Sequence, residues 1–268
     1  MEEIAYAKIN LALHVRGREP DGYHRIETIF AFCEDGDRLR ISDGEELALD
    51  LCGPFAGALD GGRDNLAMRA AQALAARYGV RRGAKLALDK RLPVAAGLGG
   101  GSADAAAALR LLPRWWGIEA RENELLEIAA ELGADVPACL LSRTVRGEGK
   151  GDWLGPFEAD GLSGMPVLLV NPGVPLSTAS VFRAWGGIDQ GPLEGLEAGR
   201  NDLEPAAIGM VPEIAELLRL LSGARLARMS GSGASCFGLF DSEVDRDSAS
   251  GRIGEVHPGW WQLSTRLR

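Results

Sequence analysis

At 268 residues, 46% hydrophobic and 25% charged, the chain has the composition of a globular protein with room for one large domain or two ordinary ones. Its formal net charge of -9 disfavours non-specific attraction to nucleic acid or to an anionic membrane surface, because both require a basic face. Phosphates can still be held locally by backbone N–H groups, so the charge does not exclude a nucleotide ligand.

Four cysteines, Cys33, Cys52, Cys139 and Cys236, lie far apart and form no C-x-x-C pair, which argues against a zinc ribbon or a redox motif. They read as reduced, mostly buried thiols. The start Met1-Glu2-Glu3, followed by Lys8, Asn10 and His14, breaks the basic-then-apolar pattern of a signal peptide. With no apolar run near the roughly 18 residues that span a bilayer, a cytoplasmic location is the default expectation.

In chain order, residues 4–15 alternate loosely and predict a strand, and Asp21-Gly22-Tyr23-His24 reads as a turn. Residues 26–32 and 37–42 predict two further strands. Apolar positions at helical spacing predict a helix over 67–78, with Asp64-Asn65 as its capping residues. Residues 85–92 predict a strand that runs into a glycine-rich loop, Pro93 to Ser102, and a helix follows over 103–112. Another amphipathic helix is predicted over 122–132, with Gly133 as its C-terminal cap.

Between Gly147 and Gly164 the chain is rich in Gly, Pro and acidic residues, and the boundary between an N-terminal part, 1–158, and a C-terminal part, 159–268, is placed there. The second part predicts a strand at 167–170, helices over 178–185 and 211–222, and a strand-loop-strand at 227–240. Interspersed strands and helices favour an α+β or α/β class.

Gly97 to Ser102 is the most informative segment. Several glycines let backbone N–H groups converge on an anion, and a following helix adds its positive N-terminal end. No Lys follows the glycines as in a Walker loop, and Ser102 stands where G-x-G-x-x-G requires Gly, which disfavours a dinucleotide dehydrogenase. Composition alone leaves open a plain flexible turn. Other residues carry similar pairs of readings: Lys8 as an edge-strand charge, Asp135 before Val136-Pro137 as a helix cap, Asn201-Asp202-Leu203-Glu204 as a helix start, and Met229 to Ala234 as either a hairpin turn or a place of close backbone approach.

Taken together, Ala7-Lys8-Ile9-Asn10, Asp21-Gly22-Tyr23-His24, Pro93 to Ala103, Gly133-Ala134-Asp135-Val136-Pro137 and Met229 to Ala234 occur in one order. That order resembles the galactokinase, homoserine kinase, mevalonate kinase and phosphomevalonate kinase (GHMP) superfamily, over nearly the whole chain. The resemblance implies a two-lobed α+β fold, ribosomal-protein-S5-like at the N-terminus and ferredoxin-like at the C-terminus, with ATP and substrate meeting between the lobes. It implies ATP held by Pro93, Val94, Ala95, Ala96, Gly97, Leu98, Gly99, Gly100, Gly101, Ser102 and Ala103, with adenine contacts at Asn65 and Leu66 and with Mg2+ neutralising the phosphates. It further implies the acceptor 4-diphosphocytidyl-2-C-methyl-D-erythritol, contacted by Asn10, Tyr23, His24 and Phe182, and the catalytic pair Lys8 and Asp135, the carboxylate as base.

Two departures stand out: Ala95 lies where the family often has Gly, and Ala103 where it often has a second Ser. A kinase of the same superfamily with homoserine or a mevalonate-like acceptor would lack the Gly22-Tyr23-His24 and Phe182 set. A non-catalytic nucleotide sensor would not need both Lys8 and Asp135. Oligomeric state, the metal ligands and the role of the tail from Gly254 carry no signature.

Overall fold

The computed structural model describes residues 1–59, 62, 64–158 and 160–268. The chain forms two compact units that do not follow one another in sequence: the first comprises Met1–Ala7, Asp35–Val94 and Gly99–Ser142, the second Lys8–Glu34, Ala95–Leu98 and Arg143–Arg268. A single cut at 158 therefore does not trace these units, and Ala159, where the second part was expected to begin, lies outside the described residues.

Strand β1 (Glu2–Arg18) and strand β2 (His24–Ser42) each contribute to both units. The two strands expected over 26–32 and 37–42 are one. The polar break at Glu34-Asp35 does not end it: both residues are exposed between the buried stretches 28–33 and 36–37. At Gly36 a Cβ would lie 1.9 Å from the Ala5 carbonyl oxygen, so only glycine lets the backbones approach there.

In the first unit, β3 (Leu47–Cys52) pairs parallel with β4 (Ala84–Asp89), and β4 pairs antiparallel with the second half of β2, Leu39 opposite Leu88. Leu39, Leu86 and Leu88 are fully buried, worth roughly 1.5–3 kcal/mol each by area. Helix α1 (Leu66–Tyr78) packs on β3, α2 (Gly100–Trp116) and α3 (Glu122–Leu132) pack with α1 and with each other, and α4 (Val136–Leu141) packs on α2 and α3. Helices α1 and α2 meet through buried alanines, including Ala70, Ala71 and Ala105 to Ala108, whose small side chains permit close approach. Asn65 caps α1 as expected, its Oδ1 accepting from Ala67 N at 3.0 Å. Helix α2 begins at Gly100, three residues earlier than predicted. Helix propensity disfavours glycine, yet Gly99 in the left-handed conformation (φ 65) turns the chain into the helix.

In the second unit, the first half of β2 pairs with β5 (Val145–Gly149), which pairs with β6 (Trp153–Pro156). A separate antiparallel sheet has the order β10-β7-β9-β8, from β7 (Pro166–Asn171), β8 (Leu226–Met229), β9 (Cys236–Leu239) and β10 (Trp261–Arg266). Numbered within itself this is the 4-1-3-2 order of the ferredoxin-like fold. The tail from Gly254 thus supplies the last turn of α8 (Glu243–Val256) and an edge strand. Helices α5 (Thr178–Ala184), α6 (Glu204–Met210), α7 (Glu213–Leu220) and α8 complete the unit, and their buried faces join Leu168, Val170, Met229 and Phe240 in one core. Cys33, Cys139 and Cys236 are buried, Cys52 is exposed, and among the described residues none of them forms a disulfide. Among the described residues no helix is long and apolar enough to cross a membrane.

Candidate functional site

In the first unit, Gly99 starts α2 without any side-chain capping bond, so the amides of Gly100, Gly101 and Ser102 are presented at a helix N-terminus with no N-cap side chain bonded to them. Leu66 flanks this turn, its Cδ1 only 3.5 Å from where a Gly101 Cβ would be. Asn65 and Leu66, singled out for adenine, are therefore neighbours of the glycines singled out for phosphate.

Asp135 stands directly before α4. The expected cap bond is missing: its side chain accepts no bond from the helix amides, although Pro137 occupies the first turn. What fixes α4 instead is Arg110, a residue the sequence offered no reason to single out. Its Nη1 donates to the Cys139 carbonyl at 2.8 Å and to Ser142 Oγ at 3.0 Å, while Nη2 donates to the Ile4 carbonyl at 2.8 Å and Nε to Glu3 Oε1 at 2.8 Å. The guanidinium thereby satisfies the carbonyl end of α4 and ties it to β1.

In the second unit, Lys8 and Asn10 are two residues apart on β1 and share a face. Lys8 is 4% exposed, which removes the edge-strand reading. Its Nζ donates to Asn10 Oδ1 at 3.0 Å and lies 5.4 Å from the centre of the Phe30 ring. Asn10 Nδ2 donates to Thr28 Oγ1 at 2.8 Å, and Thr28 Oγ1 donates to the Ala12 carbonyl at 2.6 Å.

Residues 95–98 belong to this unit and meet the loop between β8 and β9. Leu98 accepts from Lys8 N at 2.9 Å, Gly97 accepts from Ser230 Oγ at 2.8 Å, and Ala96 accepts from Ser235 N at 3.2 Å. A Cβ on Gly97 would lie 2.3 Å from the Ser230 carbonyl oxygen. The segment Met229 to Ala234 is thus a place of close backbone approach, and Asn201 braces it by donating from Nδ2 to Met229 O and Gly231 O, both at 2.8 Å. Ala95 holds φ 53, a left-handed conformation that strains any residue with a Cβ and suits the glycine expected there.

His24 opens β2 and sits in a cluster of rings: 5.0 Å from Phe182 and 5.7 Å, edge-on, from Trp185. Burial, aided by the Arg18 charge, lowers the His24 pKa, which favours the neutral imidazole. Trp185 was missed because its helical spacing after Phe182 reads as ordinary core. Tyr23 does not join the cluster. It is 58% exposed, and Lys150 Nζ lies 3.9 Å from its ring centre while donating to Asp21 Oδ2 at 2.8 Å.

The geometry can hold an anion at α2 and a flat base at the rings. Among the described residues no group of three or more His, Cys, Asp or Glu is placed to hold a metal ion.

Comparison with known proteins places the chain more closely. Residues 65–143 match the model of the GHMP kinases N-terminal domain and residues 191–259 that of the GHMP kinases C-terminal domain. A protein of Rhizorhabdus wittichii named 4-diphosphocytidyl-2-C-methyl-D-erythritol kinase is 57% identical, with 99% of this chain and 94% of the relative covered. One of the same name from Sphingopyxis alaskensis is 48% identical over 100% and 99%. A crystal structure of 4-(cytidine 5'-diphospho)-2C-methyl-D-erythritol kinase superposes with a TM-score of 0.85 at 36% identity, covering 100% and 99% of the two chains. The homoserine kinase of Cytophaga hutchinsonii, at 18% identity and a TM-score of 0.73 over 97% and 95%, shares the fold.

Proposed function

The chain belongs to the 4-diphosphocytidyl-2-C-methyl-D-erythritol kinases of the GHMP family, and from that premise we propose how its residues divide the work of phosphorylating the acceptor's 2-hydroxyl with ATP. The observation that carries the reading is the uncapped, glycine-built first turn of α2, which offers its amides to a triphosphate.

ATP binds with its phosphates on Gly97 to Ala103 and its adenine by Asn65 and Leu66. Mg2+, when bound, neutralises charge on the phosphate oxygens. The acceptor's cytosine lies against His24 and Phe182, with Tyr23 at the margin and Asn10 on the sugar-like chain. A neutral His24 both donates and accepts, as the amino and carbonyl edge of cytosine requires, and ring contacts of this kind contribute roughly 1–3 kcal/mol per stacked base. A homoserine or mevalonate-like acceptor has no flat base to fill this cluster.

In the transfer itself the 2-hydroxyl oxygen attacks the γ-phosphorus, the bond from that phosphorus to the β,γ-bridging oxygen breaks, and ADP leaves with the electron pair. Asp135 takes the hydroxyl proton, and Lys8 stabilises the charge spread over the transferring group. Because the acceptor is a crowded tertiary alcohol, positioning contributes as much as basicity. We place this enzyme in the cytoplasm.

The test is ADP release from the purified protein with ATP, Mg2+ and a panel of acceptors. The reading expects turnover with the cytidyl substrate and none above background with homoserine or mevalonate. The reverse order would overturn it.

A further inference from the structure

Beneath the first turn of α2 lies a buried trio of charges that the reaction does not use. Lys90, just past the end of β4, is 2% exposed, Asp37 on β2 is 0% and Asp104 on α2 is 2%. Lys90 Nζ donates to Asp104 Oδ2 at 2.6 Å and also to Asp37 Oδ2. Asp37 Oδ1 accepts from the backbone amides of Arg91, at 2.5 Å, and Leu92, at 2.9 Å, so both oxygens of Asp37 are occupied and the chain entering Pro93 is held by them. Asp104 is different: its Oδ1 is buried with no hydrogen-bond partner among the described residues.

Gly100 and Asp104 stand four residues apart, on one face of α2. A Cβ on Gly100 would lie 3.4 Å from Lys90 Nζ and 3.6 Å from Asp37 Oδ2, so the absence of a side chain there leaves room for the ammonium directly under the turn that presents the amides. The trio and the anion-binding turn are two sides of one helical turn.

We propose that Asp104 is a positioning residue that takes up a proton when the triphosphate docks on α2, coupling nucleotide binding to pH through a side chain that does not touch the nucleotide. The inference rests on the nucleotide reading above. With both carboxylates ionised the trio carries one net negative charge about one turn, roughly 5 Å, from the phosphates. With Asp104 protonated it is neutral, and the repulsion vanishes. Asp104 is the member that accepts the proton because its Oδ1 alone lacks a donor.

Among the described residues, the charged groups that face Asp104 are Lys90, just past β4, and Asp37 from β2. Burial raises the Asp104 pKa and Asp37 adds to the rise, the attraction of Lys90 notwithstanding, to about 7. For Lys90 burial acts downward, but the two carboxylates outweigh it and its pKa is raised, so it stays charged throughout. An anion arriving at α2 pushes Asp104 further up. The sign follows: affinity is high below pH 7, where the proton is already bound, and falls as pH rises, by up to about tenfold per unit.

The experiment is calorimetry of the full chain with Mg2+ and the non-hydrolysable β,γ-imido analogue of ATP, in buffers of different ionisation heat, comparing wild type with Asp104→Asn. Protons exchanged by the nucleotide itself are common to both and cancel. At pH 7.5 wild type should take up about half a proton or more in excess of the variant. Between pH 6.5 and 8.5 its Kd should rise about tenfold or more relative to the variant's. Equal proton numbers and parallel Kd profiles overturn the inference and leave the nucleotide reading standing. No nucleotide binding by wild type overturns both. Should Asp104→Asn not fold, infrared difference spectra of wild type on adding the analogue decide: a new buried carboxylic-acid carbonyl band supports the proposal, and its absence overturns it.

Discussion

Lys8 and Asn10 are joined side chain to side chain on one face of β1, Nζ donating to Oδ1 at 3.0 Å, with Asn10 in turn donating to Thr28. Asn10 therefore serves the ammonium before it serves any ligand. Removing it in Asn10→Ala strips a buried hydrogen-bond partner from both neighbours, so unfolding free energy should fall by about 1–3 kcal/mol and kcat should fall as well. An unchanged denaturant midpoint with wild-type kcat would show that the ammonium is held by other groups.

Two positions of the glycine-rich segment, Ala95 and Gly97, should respond with opposite signs. Ala95 is held at φ 53, where a Cβ costs roughly 1–2 kcal/mol; Ala95→Gly relieves this and loses about 0.4–1 kcal/mol to unfolded-state entropy, a net gain. At Gly97, with φ 77 and a Cβ position 2.3 Å from the Ser230 carbonyl oxygen, Gly97→Ala should destabilise by more than about 2 kcal/mol. Denaturant unfolding of both variants reads the two signs, and equal signs would contradict the local geometry.

At the start of α2, Gly100→Val forces a branched side chain against Lys90 Nζ beneath the turn that presents the amides, and by displacing that turn it should abolish nucleotide binding in calorimetry. Ser102→Ala should bind nearly normally and turn over more slowly. Wild-type affinity in Gly100→Val would put the phosphates elsewhere.

The ring cluster should act on the acceptor alone. His24→Ala, Phe182→Ala and Trp185→Ala should each raise KM for the cytidyl substrate while KM for ATP stays near wild type. Because burial lowers the His24 pKa, the neutral ring persists at and above pH 7, so acceptor KM should be flat there and should rise only as His24 gains its proton in more acidic solution. An effect on ATP instead would place the rings at the nucleotide.

Periodicity found α1, α2, α3, α5 and α7 because their apolar spacing is local, while the mostly polar α8 was not legible, and the glycine-rich segment was visible because glycine clusters are rare before a helix. The extent of β2 was not legible: Gly36 looks like a break, and only the backbone of Ala5, distant in sequence, explains why it is not one. Asp37, Lys90 and Asp104 are separated by 53 and 14 residues, so nothing in their spacing announces a buried trio. Trp185 and Arg110 were hidden for a similar reason, since an aromatic or an arginine on an amphipathic helix has an ordinary use. The motif order shared with the GHMP kinases supplied what local patterns could not.

The pairing of Asp135 as base with Lys8 as charge stabiliser is tested most directly by single-turnover transfer to the cytidyl substrate with Asp135→Asn. A positioned base is worth about 10² to 10⁴ in rate, so transfer should slow by roughly 10²-fold or more while the Kd of the ATP analogue stays within a few-fold of wild type. Transfer within a few-fold of wild type would contradict the account and return Asp135 to a structural place before α4.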